Sequence, residues 1–108
     1  MRKRSTLLQG TVDILILKVL SRRKLHGYGI AKWLGGKTEG VLELEDAALY
    51  QSLHRMEAKG WIDAEWGKSE TGRQAKFYRL TPSGRKQLKS ETAAWKSYAG
   101  AVLQILET

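Results

Sequence analysis

The chain has 108 residues, enough for one domain, and no cysteine, which excludes disulfides and thiolate metal sites. Its formal net charge of +8 favours a polyanionic partner, nucleic acid first and anionic membrane second. No stretch is long and apolar enough to span a bilayer, and the basic start, Met1 to Leu8, lacks the apolar run of a signal peptide, so a cytoplasmic protein is expected.

The charge is patterned. Arg2, Lys3 and Arg4 form a basic arm, read either as a DNA-binding tail or as an aid to solubility. Arg22, Arg23 and Lys24 form a second basic cluster, and Glu39, Glu43, Glu45 and Asp46 an acidic one.

In chain order, TVDILILKVLS at 11–21 spaces Val12, Leu15, Ile16, Val19 and Leu20 at helical intervals. Thr11 is placed to cap this helix and Asp13 to favour its positive end. Ile14 and Leu17 add apolar surface on the other side, as suits a helix covered both by its own domain and by another element or subunit. SRRKLHGYG reads as a connector broken by Gly27 and Gly29. YGIAKWLGG follows as a short second helix, with Tyr28, Ile30, Ala31 and Leu34 inward and Gly35 and Gly36 as its stop. VLELE alternates apolar and acidic residues, as a short strand or an extended linker with Leu42 and Leu44 inward.

Asp46 is placed to cap a third helix, in which Leu49, Leu53 and Met56 form a buried stripe and Gly60 supplies the C-terminal stop. The other face of that helix shows Tyr50, Gln51, His54 and Arg55. WIDAEW and AKFYRL read as strands around GKSETGR, a hairpin with Lys68 and Arg73 at its tip and Lys76 just beyond. Thr81 and Pro82 start a last helix. Along it Leu88, Thr92, Trp95, Ala99, Val102 and Leu106 follow alternating steps of four and three, a heptad seam. Leu103 and Ile105 widen the seam and Gly100 weakens it.

Helix, helix, helix, hairpin, long helix predicts a mainly α chain with a small β-hairpin (α+β). It divides into a winged helix-turn-helix domain over residues 1–81 and a C-terminal dimerisation helix over 82–108. The third helix would then enter a DNA major groove and the hairpin lie on backbone or minor groove beside it.

Four stretches in this order, GTVDILIL at 10–17, LHGYGI at 25–30, LYQSLHRMEAKGWI at 49–62 and GRQAKFYRLTPSGRKQL at 72–88, resemble the PadR family of bacterial transcriptional regulators. The chain is similar to the short subfamily, with one C-terminal helix. Met56 stands where the family usually has Leu, Gln51 where many relatives have Pro, and Ala47 and Ala48 where small residues or Gly are common. The resemblance implies a homodimeric repressor of a near-palindromic operator, and in some relatives a planar aromatic effector bound at the dimer interface.

On this reading Tyr50 and Gln51 bond phosphates or base edges, Gln being able to pair with adenine. His54 either contacts DNA or is simply exposed. Arg55 either reaches phosphate or pairs with Glu57 or Asp46. Lys68, Arg73 and Lys76 meet phosphate. Trp95 belongs to the dimer core, and the resemblance adds stacking on a small aromatic effector. Trp33, Trp61 and Trp66 are expected to pack. With only His26 and His54 and no nucleophile–base pair, no metal site, cofactor or catalytic residue is expected. The partners expected are double-stranded DNA, a second copy of the chain and such an effector. The competing reading is a ligand-binding or protein-interaction module without specific DNA binding; RNA-binding or architectural roles come third.

Overall fold

The computed structural model describes residues 4–108, with side chains from Gly10 onward. Arg2 and Lys3 of the basic arm lie outside these residues. The arm's Arg4 is the first residue of helix α1 (Arg4–Leu20). There follow β1 (Leu25–His26), α2 (Gly27–Lys37), α3 (Asp46–Ala58), β2 (Ile62–Lys68), β3 (Gln74–Leu80) and α4 (Pro82–Leu106). The three strands form one antiparallel sheet in the order β1-β3-β2. The expected α+β winged arrangement is therefore present, with one more strand than the sequence suggested.

The core is a single cluster. Val12, Ile16, Leu17, Val19 and Leu20 of α1 meet Ile30 and Leu34 of α2, Leu49, Leu53 and Met56 of α3, and Ile62 and Tyr78 of the sheet. Burying so many branched side chains from every layer is what holds short helices that would be marginal alone. One helical stripe per element delivers most of them, as the periodicity predicts for α3. Leu17 is fully buried with this stripe, because α1 is covered on two sides, by α2–α3 and by α4.

Several local expectations are corrected. Helix α1 starts before Thr11, so Thr11 and Asp13 are mid-helix residues and cap nothing. Gly35 and Gly36 do not stop α2, which runs to Lys37. It ends where Glu39 takes φ 53° and Gly40 donates its N–H to the Gly35 carbonyl at 2.8 Å. Thr38 Oγ1 meanwhile donates to the Leu34 carbonyl and accepts from Leu42 N–H. VLELE is the linker of its two readings, not a strand. Asp46 is the first residue of α3; Glu45 takes the cap position and makes no capping hydrogen bond. Tyr28 points outward, 70% exposed, since it lies two residues from the buried Ile30 on a helix that advances 100° per residue.

The stop at Gly60 and the start at Thr81 match the sequence. Gly60 adopts φ 80°, and Trp61 N–H reaches back to the Met56 carbonyl at 3.0 Å. Thr81 Oγ1 accepts the Gly84 N–H at 3.0 Å and donates to the Gly60 carbonyl at 2.6 Å. The start of α4 is thereby tied to the end of α3.

Candidate nucleic-acid interface

Helix α3 is held from three sides, and this determines which of its residues remain outward. Its stripe of Leu49, Ser52, Leu53 and Met56 is buried. Ala47, Tyr50, Gln51 and His54 are exposed and share one face by their spacing of three and four. At the N-terminal end, Glu43, Glu45 and Asp46 are exposed as well, an acidic rim unfavourable to phosphate.

Toward α1, one terminal nitrogen of Arg55 donates to both Asp13 oxygens, at 2.6 and 2.7 Å. Neither Glu57 nor Asp46 is its partner. Residues so far apart in sequence cannot be matched by local spacing, and α3 places its next carboxylate, Glu57, on the sheet side. There Lys76 Nζ sits 3.1 Å from Glu57 Oε1 and 5.6 Å from the centre of the Tyr78 ring. The hydrogen bond to Glu57 holds the Lys76 ammonium above its ordinary value, while burial pushes the Tyr78 phenol up. Arg55 and Lys76 thus both brace α3.

Toward α2, the Tyr50 ring lies across Gly27. A Cβ at Gly27 would stand 2.7 Å from Tyr50 Cζ and collide with its hydroxyl. Tyr50 is therefore half packed, 49% exposed, and shares its burial with the α2 start. His26 precedes this contact and caps α2, its Nδ1 accepting the Gly29 N–H at 2.9 Å. The sequence singled out neither role, although HGYG carries both residues.

The hairpin stands beside α3. Its register pairs Ile62 with Leu80, Ala64 with Tyr78, Trp66 with Lys76 and Lys68 with Gln74. These residues line one face, which covers the core at Ile62 and Tyr78 and then extends past it. Trp66 consequently sits 65% exposed rather than packed, whereas Trp33 and Trp61 do pack against the core. At the tip Lys68 and Arg73 are exposed, and among the described residues neither has an ion-pair partner in the chain. Arg79, by contrast, is engaged with Asp63 and Glu65, and Lys24 with Glu65. Among the described residues, Tyr50, Gln51, His54, Lys68 and Arg73 are the predicted ones whose polar groups have no side-chain hydrogen bond or ion pair in the chain.

Trp95 lies elsewhere, where α4 crosses α1. Its Nε1 donates to Thr11 Oγ1 at 3.0 Å. With Gly10, Ile14, Glu91 and Tyr98 it lines an open cleft of about 300 Å³. Beyond it α4 exposes Tyr98, Val102, Leu103, Ile105 and Leu106. Such a contiguous apolar stripe is unusual on a free surface.

Comparison with known proteins locates this architecture. Residues 16–90 match the model of the transcriptional regulator PadR-like family. A transcriptional regulator of Mycobacterium tuberculosis is 30% identical over 95 residues, covering 88% of this chain and 85% of that protein. A solved transcriptional regulator of Clostridium thermocellum superposes with a TM-score of 0.84 at 30% identity, over 93% of this chain and 97% of its own. A PadR family transcriptional regulator of Eggerthella lenta gives 0.79 at 30% identity, over 95% and 88%.

Proposed function

Because this chain belongs to the PadR-like family of transcriptional regulators, we propose that it binds duplex DNA as a homodimer and represses transcription from a near-palindromic operator. The observation that carries this reading is the outward face of α3. Gln51 and His54 project from a helix braced on α1, α2 and the sheet, beside a hairpin whose Lys68 and Arg73 are exposed. A rigid polar helix face with a basic hairpin alongside suits a major groove and its flanking backbone. Gln51 and His54 read base edges, Tyr50 supports them from α2, and Lys68 and Arg73 meet phosphate. Arg55 and Lys76 act by holding α3, not by direct contact.

Residues 1–81 form the reading domain and α4, within 82–108, the dimer contact. The exposed stripe from Trp95 to Leu106 supports a second copy as its cover, because alternating steps of four and three suit a helix pair. Dimerisation sets two α3 helices about one turn of DNA apart. A planar aromatic effector in the cleft at Trp95 would release DNA only by favouring one spacing of the two heads over the other. The protein acts in the cytoplasm. Among the described residues no helix is long and apolar enough to cross a membrane.

Fluorescence anisotropy on the upstream promoter duplex and a scrambled duplex, across a salt series, tests this reading. A promoter preference of roughly a thousandfold or more, with one dimer per site, supports it. Gln51→Ala with His54→Ala should then erode the preference, and Lys68→Ala with Arg73→Ala should weaken both duplexes alike. Equal affinity for both duplexes would indicate an architectural role, and no binding to either a ligand-binding or interaction module.

A further inference from the structure

Three aromatic rings stand together outside the core. Tyr78 turns into the core, so Phe77, one residue before it, points to the other face of the sheet, with its register partner His26. The His26 and Phe77 ring centres are 5.1 Å apart, and the exposed Tyr28 ring lies 6.3 Å from His26. The His26 ring is held in place by the Gly29 N–H, which donates to its Nδ1. None of the three belongs to the core cluster.

These rings line an open cleft of about 400 Å³ between the start of α2 and the end of the hairpin, within the size range of small-ligand sites. Lys32 and Lys68 line it too, with one carboxylate, Glu70, which leaves one positive charge in surplus. Among the described residues neither lysine has an ion-pair partner in the chain. Lys32 Nζ stands 6.0 Å from the Tyr28 ring centre, so a cation and an aromatic surface are offered side by side.

Aromatic surfaces hold planar rings by stacking, and ammonium groups hold phosphate. An aromatic carboxylate carries one charge, enough for one of the two lysines. A phosphate monoester carries nearly two at neutral pH and engages both. A base and its ribose also bring N–H and O–H donors for Glu70, which a simple aromatic acid lacks. We propose that this cleft binds a mononucleotide, its base stacked against Tyr28 and Phe77, its phosphate between Lys32 and Lys68, and Glu70 accepting from the ribose or the base. The cleft shares no lining residue with α3 or with the cleft at Trp95. The proposal does not rest on duplex binding, but Lys68 serves in both, so the test is made without DNA.

The full chain, isotope-labelled and followed by two-dimensional NMR, is titrated with AMP, adenosine and inorganic phosphate at constant ionic strength. With AMP, the amide signals of residues 25–33 and 68–77 should shift and saturate together. Adenosine and inorganic phosphate should each bind at least about tenfold more weakly, because each lacks half of the contacts. Lys32→Ala should weaken AMP roughly three- to tenfold, as an exposed ammonium on a phosphate. Tyr28→Ala should weaken it at least about fivefold, whereas Tyr28→Phe, which keeps the stacking ring, should bind nearly as wild type. Lys96→Ala, on α4 and outside the cleft, should change nothing. Tyr28, Lys32 and Lys96 are exposed, so these variants keep the fold, which their own spectra verify. No saturable shift by about 10 mM AMP overturns the proposal, since a specific site is stronger than that. Shifts centred on the Trp95 cleft overturn it, as does phosphate or adenosine binding as tightly as AMP, or an equal loss in Lys96→Ala. Promoter binding is measured separately, so either reading can fail while the other stands.

Discussion

Gly84 is the third residue of α4 and is buried. Replacing it with Ala adds one methyl group. That Cβ would fall 2.8 Å from Leu80 Cδ1 and 2.9 Å from the Trp61 carbonyl carbon, and would overlap the Trp61 carbonyl oxygen outright. Leu80 can turn away, but the carbonyl is backbone, and it accepts the Thr81 N–H at 3.1 Å. Helix propensity favours Ala by about 0.5–1 kcal/mol, at the low end in a first turn. Against this stand overpacking, about 1–3 kcal/mol, and weakening of the Thr81 contacts, about 1 kcal/mol each. With the loss of one such contact, the net cost is about 1.5–3.5 kcal/mol. Urea denaturation followed by tryptophan fluorescence measures it, at one fixed protein concentration because the proposed homodimer's midpoint would depend on concentration. Gly36→Ala is the control, with nothing within 4 Å of its added Cβ, and should gain about 0.5 kcal/mol. A Gly84→Ala protein as stable as wild type would refute the reasoning.

Three further outcomes follow from the bracing of α3. Gly27→Ala should displace the half-exposed Tyr50 ring rather than backbone, costing under about 1 kcal/mol of stability. Its promoter affinity should fall while binding to scrambled DNA is kept, as anisotropy would show. In a double-mutant cycle of Asp13→Ala and Arg55→Ala, the coupling should be about 1 kcal/mol, between a surface pair and a charge-assisted hydrogen bond, given that both groups are partly solvated. Arg55→Lys, lacking the guanidinium fork, should recover part of it. At high pH, Tyr78 in the folded protein keeps its proton above the ordinary value of 10.0, so the unfolded chain loses that proton first. Stability should therefore decline as pH rises through 10 and beyond, and more gently in Tyr78→Phe, when denaturation midpoints are compared.

How much of this could be read beforehand depended on where each signal resides. Gly60, the Thr81–Pro82 pair and the Leu49–Leu53–Met56 stripe are local, and elements built on them lie as expected. Strand β1 is two residues long, too short for any period; it is a strand only because Tyr78 and Phe77 pair with it. The start of α1 was missed because RSTLLQ holds no breaker and Gly10 interrupts nothing. At the candidate interface, Gln51 and His54 were legible from the stripe they oppose. Local spacing leaves Arg55 open between phosphate and Glu57 or Asp46, and gives Lys76 as a phosphate contact, because their partners, Asp13 and Glu57, come from other elements. The roles of Gly27 and Gly84 are visible only as space: each permits another residue to approach, and a missing side chain leaves no pattern of its own.

The smallest strand also governs when the fold is completed. Leu25 pairs with Tyr78 and His26 with Phe77, so the lead into α2 is fastened to a segment synthesised four elements later. Closing so long a loop has an entropic cost that local helix contacts do not bear. During translation α1, α2 and α3 emerge first and can collapse on one another, yet nothing then fixes the angle at which α2 leaves β1. A nascent or truncated chain ending before Gln74 would keep the Arg55–Asp13 and Tyr50–Gly27 contacts of α3, yet lack the Lys76–Glu57 brace and the pairing that makes β1 a strand. The last restraints on α2 and α3 arrive only with the hairpin.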